Sequence, residues 1–178
     1  MNRKYELRRR AESQAETRRR IVEAAVDLHS TVGPAGTSIA AIARRAGVQR
    51  HTVYAHFPDD QVLFRACSSH WREAHPFPDV SRLDVPDALS AVYLWYEDVE
   101  EAVALFIRDG ALYPEIAAER QSALDGLADE LARPLGRRAV VRAAIGHALA
   151  FETWRSLRRE GLSRRDAVEL MVRLVTAA

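Results

Sequence analysis

The 178-residue chain is poor in cysteine and in long apolar runs, and both shortages narrow what it can be. Cys67 is its lone cysteine, which excludes a disulfide framework or a cysteine-rich metal cluster within this sequence and fits a reducing compartment. No stretch approaches the roughly 18 uncharged apolar residues of a membrane span. The opening MNRKYELRRR also lacks the apolar core of a secretory leader. We therefore expect a cytoplasmic protein that does not associate with membranes.

Lysine is equally scarce, since Lys4 is the one lysine among 26 basic residues. The net charge is only +1, but the charges are distributed unevenly along the chain. Residues 1–56 hold eleven Lys and Arg against five Asp and Glu, whereas residues 57–178 hold fifteen against twenty. A basic N-terminal third joined to an acidic remainder indicates an anionic partner at the N-terminal end.

Apolar residues recur at helical spacing almost throughout, and no alternating strand pattern stands out, so we predict an all-α fold. Residues 1–15 are polar and arginine-rich, which favours a frayed arm or a loose helical extension. Thr17, Thr37 or Ser38, Asp59 and Ser163 are the expected helix caps, and Gly47 is an expected helix stop. The predicted helices are 17–30, a short one before Gly47, 49–56, 60–74, 87–108, 115–132, 140–160 and 164–176.

The stretch HPFPDVSRLDVP, residues 75–86, contains three prolines in twelve residues. Proline clusters interrupt helices, so this stretch predicts a linker between a smaller N-terminal domain and a larger C-terminal one.

The segment AIARRAGVQRHTVYAHF, residues 41–57, is dense in side chains that recognise DNA. Its spacing predicts two short helices joined by a tight turn at Gly47, which is the geometry of a helix-turn-helix. Arg50 suits the O6 and N7 atoms of guanine, and Gln49 suits the N6 and N7 atoms of adenine. Hydroxyl and imidazole groups nearby suit backbone phosphates. The complete set of predicted DNA contacts is Thr37, Ser38, Gln49, Arg50, His51, Thr52, Tyr54 and His56.

A longer run, TSIAAIARRAGVQRHTVYAHFPDDQVLF, resembles the DNA-binding signature of the TetR family of transcriptional regulators. The matching positions are Thr37, Ile39, Ile42, Ala43, Ala46, Gly47, Val48, Thr52, Val53, Tyr54, His56, Phe57 and Leu63. The resemblance covers about residues 17–66. It implies an all-helical homodimer with an N-terminal three-helix DNA-binding domain and a larger C-terminal helical domain that binds a small ligand. It further implies a repressor that a ligand releases from a near-palindromic operator in double-stranded DNA.

On this basis the expected division is a basic arm at 1–16, a helix-turn-helix DNA-binding domain at 17–58 and a helical regulatory and dimerisation domain at 59–178. Two positions depart from the family pattern. Gln49 stands where the family usually has Ser or Thr, so a hydroxyl cap worth about 1 kcal/mol is missing. Asp60 stands where a phosphate-binding lysine is common, and we expect the arginine-rich arm, with Arg18 and Arg19 nearest, to compensate for it.

The C-terminal half carries no motif of comparable strength. Five aromatic residues are candidates for the lining of a pocket for a hydrophobic or aromatic ligand, although the ordinary core of a helical bundle is the favoured explanation for any one of them. These residues are Tyr93, Tyr96, Phe106, Phe151 and Trp154. The Ala- and Gly-rich stretch 140–154, with Leu170, Leu174 and Val175, suits a dimer interface or packing within one chain.

Two other classes of protein compete with a DNA-binding regulator. One is a small helical enzyme, but the sequence offers no recognisable nucleophile, phosphate-binding loop or carboxylate pair, and we expect no catalytic activity or cofactor. His70 and His75 are poorly spaced to share a helical face, so we expect no metal site. The other class is a helical adaptor that uses residues 41–57 to bind protein.

Overall fold

The computed structural model describes residues 3–136 and 138–178, and within them the chain forms nine α-helices, two short 3-10 helices and no strand. The prediction of an all-α fold is confirmed. The helices are α1 Arg3–Thr31, α2 Ile39–Ala46, α3 Arg50–His56, α4 Asp60–Ala74, α5 Val85–Arg108, α6 Pro114–Ala132, α7 Ala139–Leu149, α8 Phe151–Arg159 and α9 Arg164–Ala177. The 3-10 helices are Gly110–Leu112 and Arg133–Leu135.

The helices divide into two compact units. The N-terminal unit comprises the described residues up to Pro76 together with Glu101–Tyr113, and the C-terminal unit comprises Phe77–Glu100 and Pro114–Ala178. Thus α4 and the last two turns of α5 belong with the N-terminal helices. The domain boundary expected between residues 58 and 59 does not coincide with this division. The linker predicted over residues 75–86 lies closer to the first break between the two units, since residues 76–84 form no helix and α5 begins at Val85.

The first helix is longer than the cap signal predicted. It runs without a break from Arg3 to Thr31, so Thr17 is not an N-cap, and its hydroxyl instead donates to the carbonyl of Ser13 at 2.9 Å. The expectation of a helical extension is right and that of a frayed arm is wrong for the described residues; Met1 and Asn2 lie outside them. Residues 5–16 are rich in helix-forming Arg, Glu and Ala, and the Arg8–Glu12 pair stabilises the helix at i,i+4 spacing.

The helices α2 to α4 begin and end close to the predicted positions because local caps define them. The Ser38 hydroxyl accepts the Ala41 N–H at 3.2 Å, and the Asp59 carboxylate accepts the Val62 N–H at 2.8 Å. Gly47 ends α2 in the left-handed conformation, with φ of 65°. Gln49 makes no side-chain cap for α3, as its departure from Ser or Thr predicts.

The core of the N-terminal unit forms where α1 packs against α2 and α4. Its buried members are Ile21, Val22, Ala24, Ala25, Ile42, Ala43, Ala46, Val53, Phe57, Leu63 and Cys67. On α4, Leu63 and Phe64 are buried, whereas Val62 is 40% exposed. Burial raises the pKa of the Cys67 thiol to about 12, so Cys67 is an uncharged core residue.

The helix predicted over 140–160 is wrong, because the chain is extended at Ala150 and two helices, α7 and α8, form instead. The break coincides with two buried hydroxyl groups from α5. Tyr93 donates to the carbonyl of Ala148 and Tyr96 to the carbonyl of Leu149, each at 2.8 Å. These carbonyls would otherwise accept from the N–H groups four residues later, so the tyrosines satisfy them where the helix is interrupted.

Candidate nucleic-acid interface

The third helix presents one apolar and one polar face. Val53 is fully buried against the N-terminal core and Phe57, which follows the helix, is 2% exposed. The opposite face carries Arg50 and His51, which are exposed, and Tyr54, which is 54% exposed. A helix that anchors itself by one apolar stripe leaves its other side chains free to reach base edges in a major groove.

The remaining predicted contacts flank this face. Gln49 is exposed at the helix start, and Thr52 and His56 are half-buried at its edges. Ser38 is exposed at the start of α2; because its oxygen accepts the Ala41 N–H, its hydroxyl proton remains able to donate to an anion. Thr37 differs, because its hydroxyl donates to the carbonyl of Gly33 at 2.8 Å. Thr37 therefore shapes the turn before α2 in addition to any contact that it makes outside the chain.

Two arginines of α1 hold the helix-turn-helix in place, a role that the sequence did not reveal. Arg18 donates to the carbonyl of His56 at 2.8 Å and lies 4.0 Å above the Phe57 ring. Arg20 donates to the carbonyl of Ala46 at 3.3 Å. Both contacts reach orphan carbonyls at the ends of α3 and α2, where a cation is also favoured by the helix dipole.

These contacts alter the expectation that Arg18 and Arg19 offset Asp60. Arg18 is committed to the end of α3, and Arg19 is ion-paired with Glu16 at 2.7 Å and with Glu23 at 2.5 Å. Both guanidinium groups are therefore already bonded to partners within the chain. Asp60 is exposed in the first turn of α4, where a carboxylate suits the helix dipole.

The turn between α1 and α2 is supported by the end of α5. Asp109 is buried and accepts the Ala35 N–H at 2.9 Å, while Arg108 bonds the same carboxylate and donates to the carbonyl of Val32 at 3.1 Å. The hydrogen bonds from Arg108 are the main cause that holds the pKa of Asp109 below its usual range. Asp109 is therefore an ionised brace for the turn that leads into α2.

An aromatic stack lies behind this brace. Phe64 stacks on Tyr113 with ring centroids 3.6 Å apart and contacts Phe106 at 5.3 Å and His29 at 5.4 Å. Burial lowers the pKa of His29 to about 4, and the nearby Asp109 opposes this only partly. The His29 imidazole is thus neutral near pH 7, and its Nδ1 is buried without a hydrogen-bond partner among the described residues.

The sequence of this unit also matches a known family model. The model for bacterial regulatory proteins of the tetR family matches residues 21–67, from the packed part of α1 to Cys67 in α4. This segment of the chain therefore carries the DNA-binding signature of the tetR family. The predicted resemblance is confirmed for this segment.

A solved structure shares the fold of this chain. It is the crystal structure of the multidrug binding protein EbrR complexed with imidazole, which superposes with a TM-score of 0.62 at 22% sequence identity. The superposition covers 88% of this chain and 93% of the EbrR chain. No match is found among curated proteins. This likeness supports the fold, with its larger C-terminal helical part, and the family match over residues 21–67 supports a DNA-binding transcriptional regulator.

Four of the five predicted pocket aromatics lie together in the C-terminal unit. The Tyr96 ring contacts the rings of Phe151 and Trp154 at 5.2 and 5.4 Å, and Tyr93 lies on the same helix one turn away. All four are buried, and burial raises the pKa of both phenols. Phe106 does not join them, because its ring packs on Phe64 in the N-terminal unit.

The residues expected at a dimer interface divide between surface and core. Val140 on α7 and Leu170 and Leu174 on α9 are 52%, 38% and 52% exposed. Val175 is buried, so it packs within the chain. Because α7 contacts α9, these two helices form one surface of the C-terminal unit that carries several exposed apolar side chains.

Residues 3–136 and 138–178 contain neither a metal-binding cluster nor a membrane-spanning helix. No three His, Cys, Asp or Glu side chains gather there as metal ligands. None of the helices in that part of the chain has both the length and the apolarity that a membrane span requires.

Proposed function

We propose that this chain is a sequence-specific repressor of the TetR family that binds its operator through α3. The observation that carries the proposal is the outward face of that helix: Arg50, His51 and Tyr54 are exposed while Val53 anchors the helix to the core. Arg50 has no partner among the described residues, so its guanidinium is free to bind guanine O6 and N7. Gln49, also exposed, is the candidate for adenine.

The backbone contacts of the proposed interface surround these base contacts. The Ser38 hydroxyl, the Tyr54 phenol and the side chains of Thr52 and His56 bond phosphate oxygens on either side of the groove. Thr37 joins them only if its hydroxyl releases the carbonyl of Gly33. Such contacts set the position of α3 without reading sequence. They also make the affinity fall with salt, by about 0.9 in the log–log slope for each phosphate.

The proposed repressor acts as a homodimer in the cytoplasm, where it has access to operator DNA. The exposed Val140, Leu170 and Leu174 on α7 and α9 support the choice of interface, because burying them against a second copy removes apolar area from water. A two-fold dimer presents two reading helices to a near-palindromic site, with half-sites about one helical turn apart or a multiple of it.

A small hydrophobic or aromatic ligand releases the proposed repressor from DNA. The cluster of Tyr93, Tyr96, Phe151 and Trp154 supports this choice of ligand, and the Trp154 indole N–H is fully buried without a partner among the described residues. EbrR, which shares the fold, is named as a multidrug binding protein. A thermal-shift screen of aromatic compounds tests the ligand, since a compound that binds the native state raises the melting temperature.

The test of DNA reading is a selection of bound duplexes from a random library by wild-type protein and by Arg50→Ala. We expect Arg50→Ala to lose the preference at one base position of each half-site, at a cost of about 1–3 kcal/mol in discrimination. Tyr54→Phe is the matched control, and it should weaken binding to all sequences alike. If Arg50→Ala selects the same sequence as strongly as the wild type, α3 does not read DNA through Arg50.

The same material separates a repressor from a protein-binding adaptor. DNA affinity should fall steeply as salt is raised, because bound phosphates release counterions. An adaptor that uses residues 41–57 to bind protein would enrich no duplex sequence at any ionic strength.

A further inference from the structure

The first helix extends well beyond the domain that it helps to build. Its first residue in the buried core is Ile21, and residues 5–16 are all exposed, including Tyr5 at 62% and Leu7 at 59%. The fourteen residues 3–16, here called the arm, form about 21 Å of helix at the usual rise. The packing of the N-terminal unit gives no reason for these turns.

The arm is strongly basic at its outer end. Residues 3–10, RKYELRRR, contain five basic residues and one acidic residue, Glu6. Arg8 pairs with Glu12 at 2.7 Å, but both side chains are largely exposed, so the pair contributes little. Arg9 and Arg10 are exposed and have no partner among the described residues. Their charges are available to an anionic partner.

The arm joins the folded domain beside the proposed reading helix. Arg18, at the base of the arm, bonds the carbonyl of His56, the last residue of α3. In a helix-turn-helix complex the N-terminal residues of the reading helix contact base edges, so its C-terminal end lies towards the sugar–phosphate backbone. The arm therefore joins the domain on the side where backbone phosphates are expected.

We propose that the arm is a second DNA-binding element, which contacts phosphates beside the base pairs that α3 reads, chiefly through Arg9 and Arg10. This inference rests on the proposed function. At about 3.4 Å per base pair, a 21 Å rod has the length of about six base pairs. The arm adds affinity without adding sequence preference, and it supplies cationic charge that Arg18 and Arg19, which are already engaged, cannot.

The test compares Arg9→Ala/Arg10→Ala with the wild type on two versions of the duplex that the wild type selects. One version keeps its flanking DNA and the other is cut back to the selected bases. Alanine favours the helix, so the arm should keep its conformation. The control is Arg158→Ala/Arg159→Ala, which removes the same charge from two exposed residues of α8.

We expect the arm variant to select the same sequence, to lose the preference for the longer duplex and to lower the salt slope by up to about 1.8 per chain. The control should behave as the wild type. The proposal is overturned if the arm variant keeps the wild-type slope and length preference, or if the control loses as much. It is also overturned if the arm variant keeps its DNA binding but loses binding to phosphatidylglycerol vesicles. Failure of the proposed function looks different, because the wild type itself then enriches no duplex.

Discussion

The brace formed by Asp109 makes Gly33 an informative position for a single substitution. Gly33 is buried between the end of α1 and Thr37 and has a φ of 88°, a conformation that side chains rarely adopt. A Cβ atom added there would lie 2.6 Å from the Asp109 carboxylate and would also overlap the Arg108 guanidinium. Gly33→Ala therefore strains the backbone and pushes against the brace at the same time.

The backbone strain and the displacement of Asp109 each have a known order of magnitude. Positive φ costs a non-glycine residue about 1–2 kcal/mol. Arg108 is exposed and can swing aside, but Asp109 is buried and bonded to the Ala35 N–H, so moving it leaves a polar group without its partner. That loss costs about 1–3 kcal/mol. We expect Gly33→Ala to lower the free energy of unfolding by about 2–5 kcal/mol, a large fraction of the roughly 5–15 kcal/mol that a domain has.

The assay is urea denaturation of the full chain, followed by circular dichroism, with Gly161→Ala as the control. Gly161 has a φ of 81°, and a Cβ added there meets nothing within 4 Å, so its substitution adds backbone strain alone. Gly33→Ala should exceed this control by about 1–3 kcal/mol, the cost of displacing Asp109. If the two substitutions cost the same, Asp109 does not brace the turn, and the reasoning is refuted.

Two further predictions concern pH and assembly. Burial lowers the pKa of His29 from 6.5 to about 4, so the unfolded chain takes up the proton at a higher pH than the folded chain does. The free energy of unfolding should therefore fall as the pH is lowered from 6.5 to 4, by at most about 3 kcal/mol. In urea titrations His29→Gln should remove most of the pH dependence of the free energy of unfolding between pH 6.5 and 4, and an unchanged pH dependence would contradict the assignment. Asp109 loses its own contribution only at lower pH, below its unfolded pKa. Leu170→Glu/Leu174→Glu should convert a dimer to a monomer in light scattering, whereas Leu94→Glu, at an equally exposed leucine, should not; a dimer that survives both rules out the α9 face.

Local signals explain what the sequence predicted well. Ser38, Gly47 and Asp59 act within three or four residues of themselves, and each ended or began a helix where expected. The same holds for the face of α3, where Val53 is buried and Arg50 and Tyr54 are exposed. Spacing alone is enough to place these side chains.

Contacts between distant residues explain most of what the sequence missed. The break at Ala150 accompanies two hydrogen bonds between distant residues, from Tyr96 to Leu149 across 53 residues and from Tyr93 to Ala148 across 55. Asp109 reaches Ala35 across 74 residues, and no motif marks it. Thr17 is different, since a cap signal was present, but a favourable helix sequence before it carried the helix through.

The central claim is that α3 enters a major groove, and the most direct measurement is a footprint of the wild-type chain on a duplex that it has selected. Methylation of guanine N7, which lies in the major groove, should be blocked in two half-sites related by a dyad and centred about 34–36 Å apart or a multiple of that distance. Unprotected guanines throughout the duplex at low ionic strength would contradict the account.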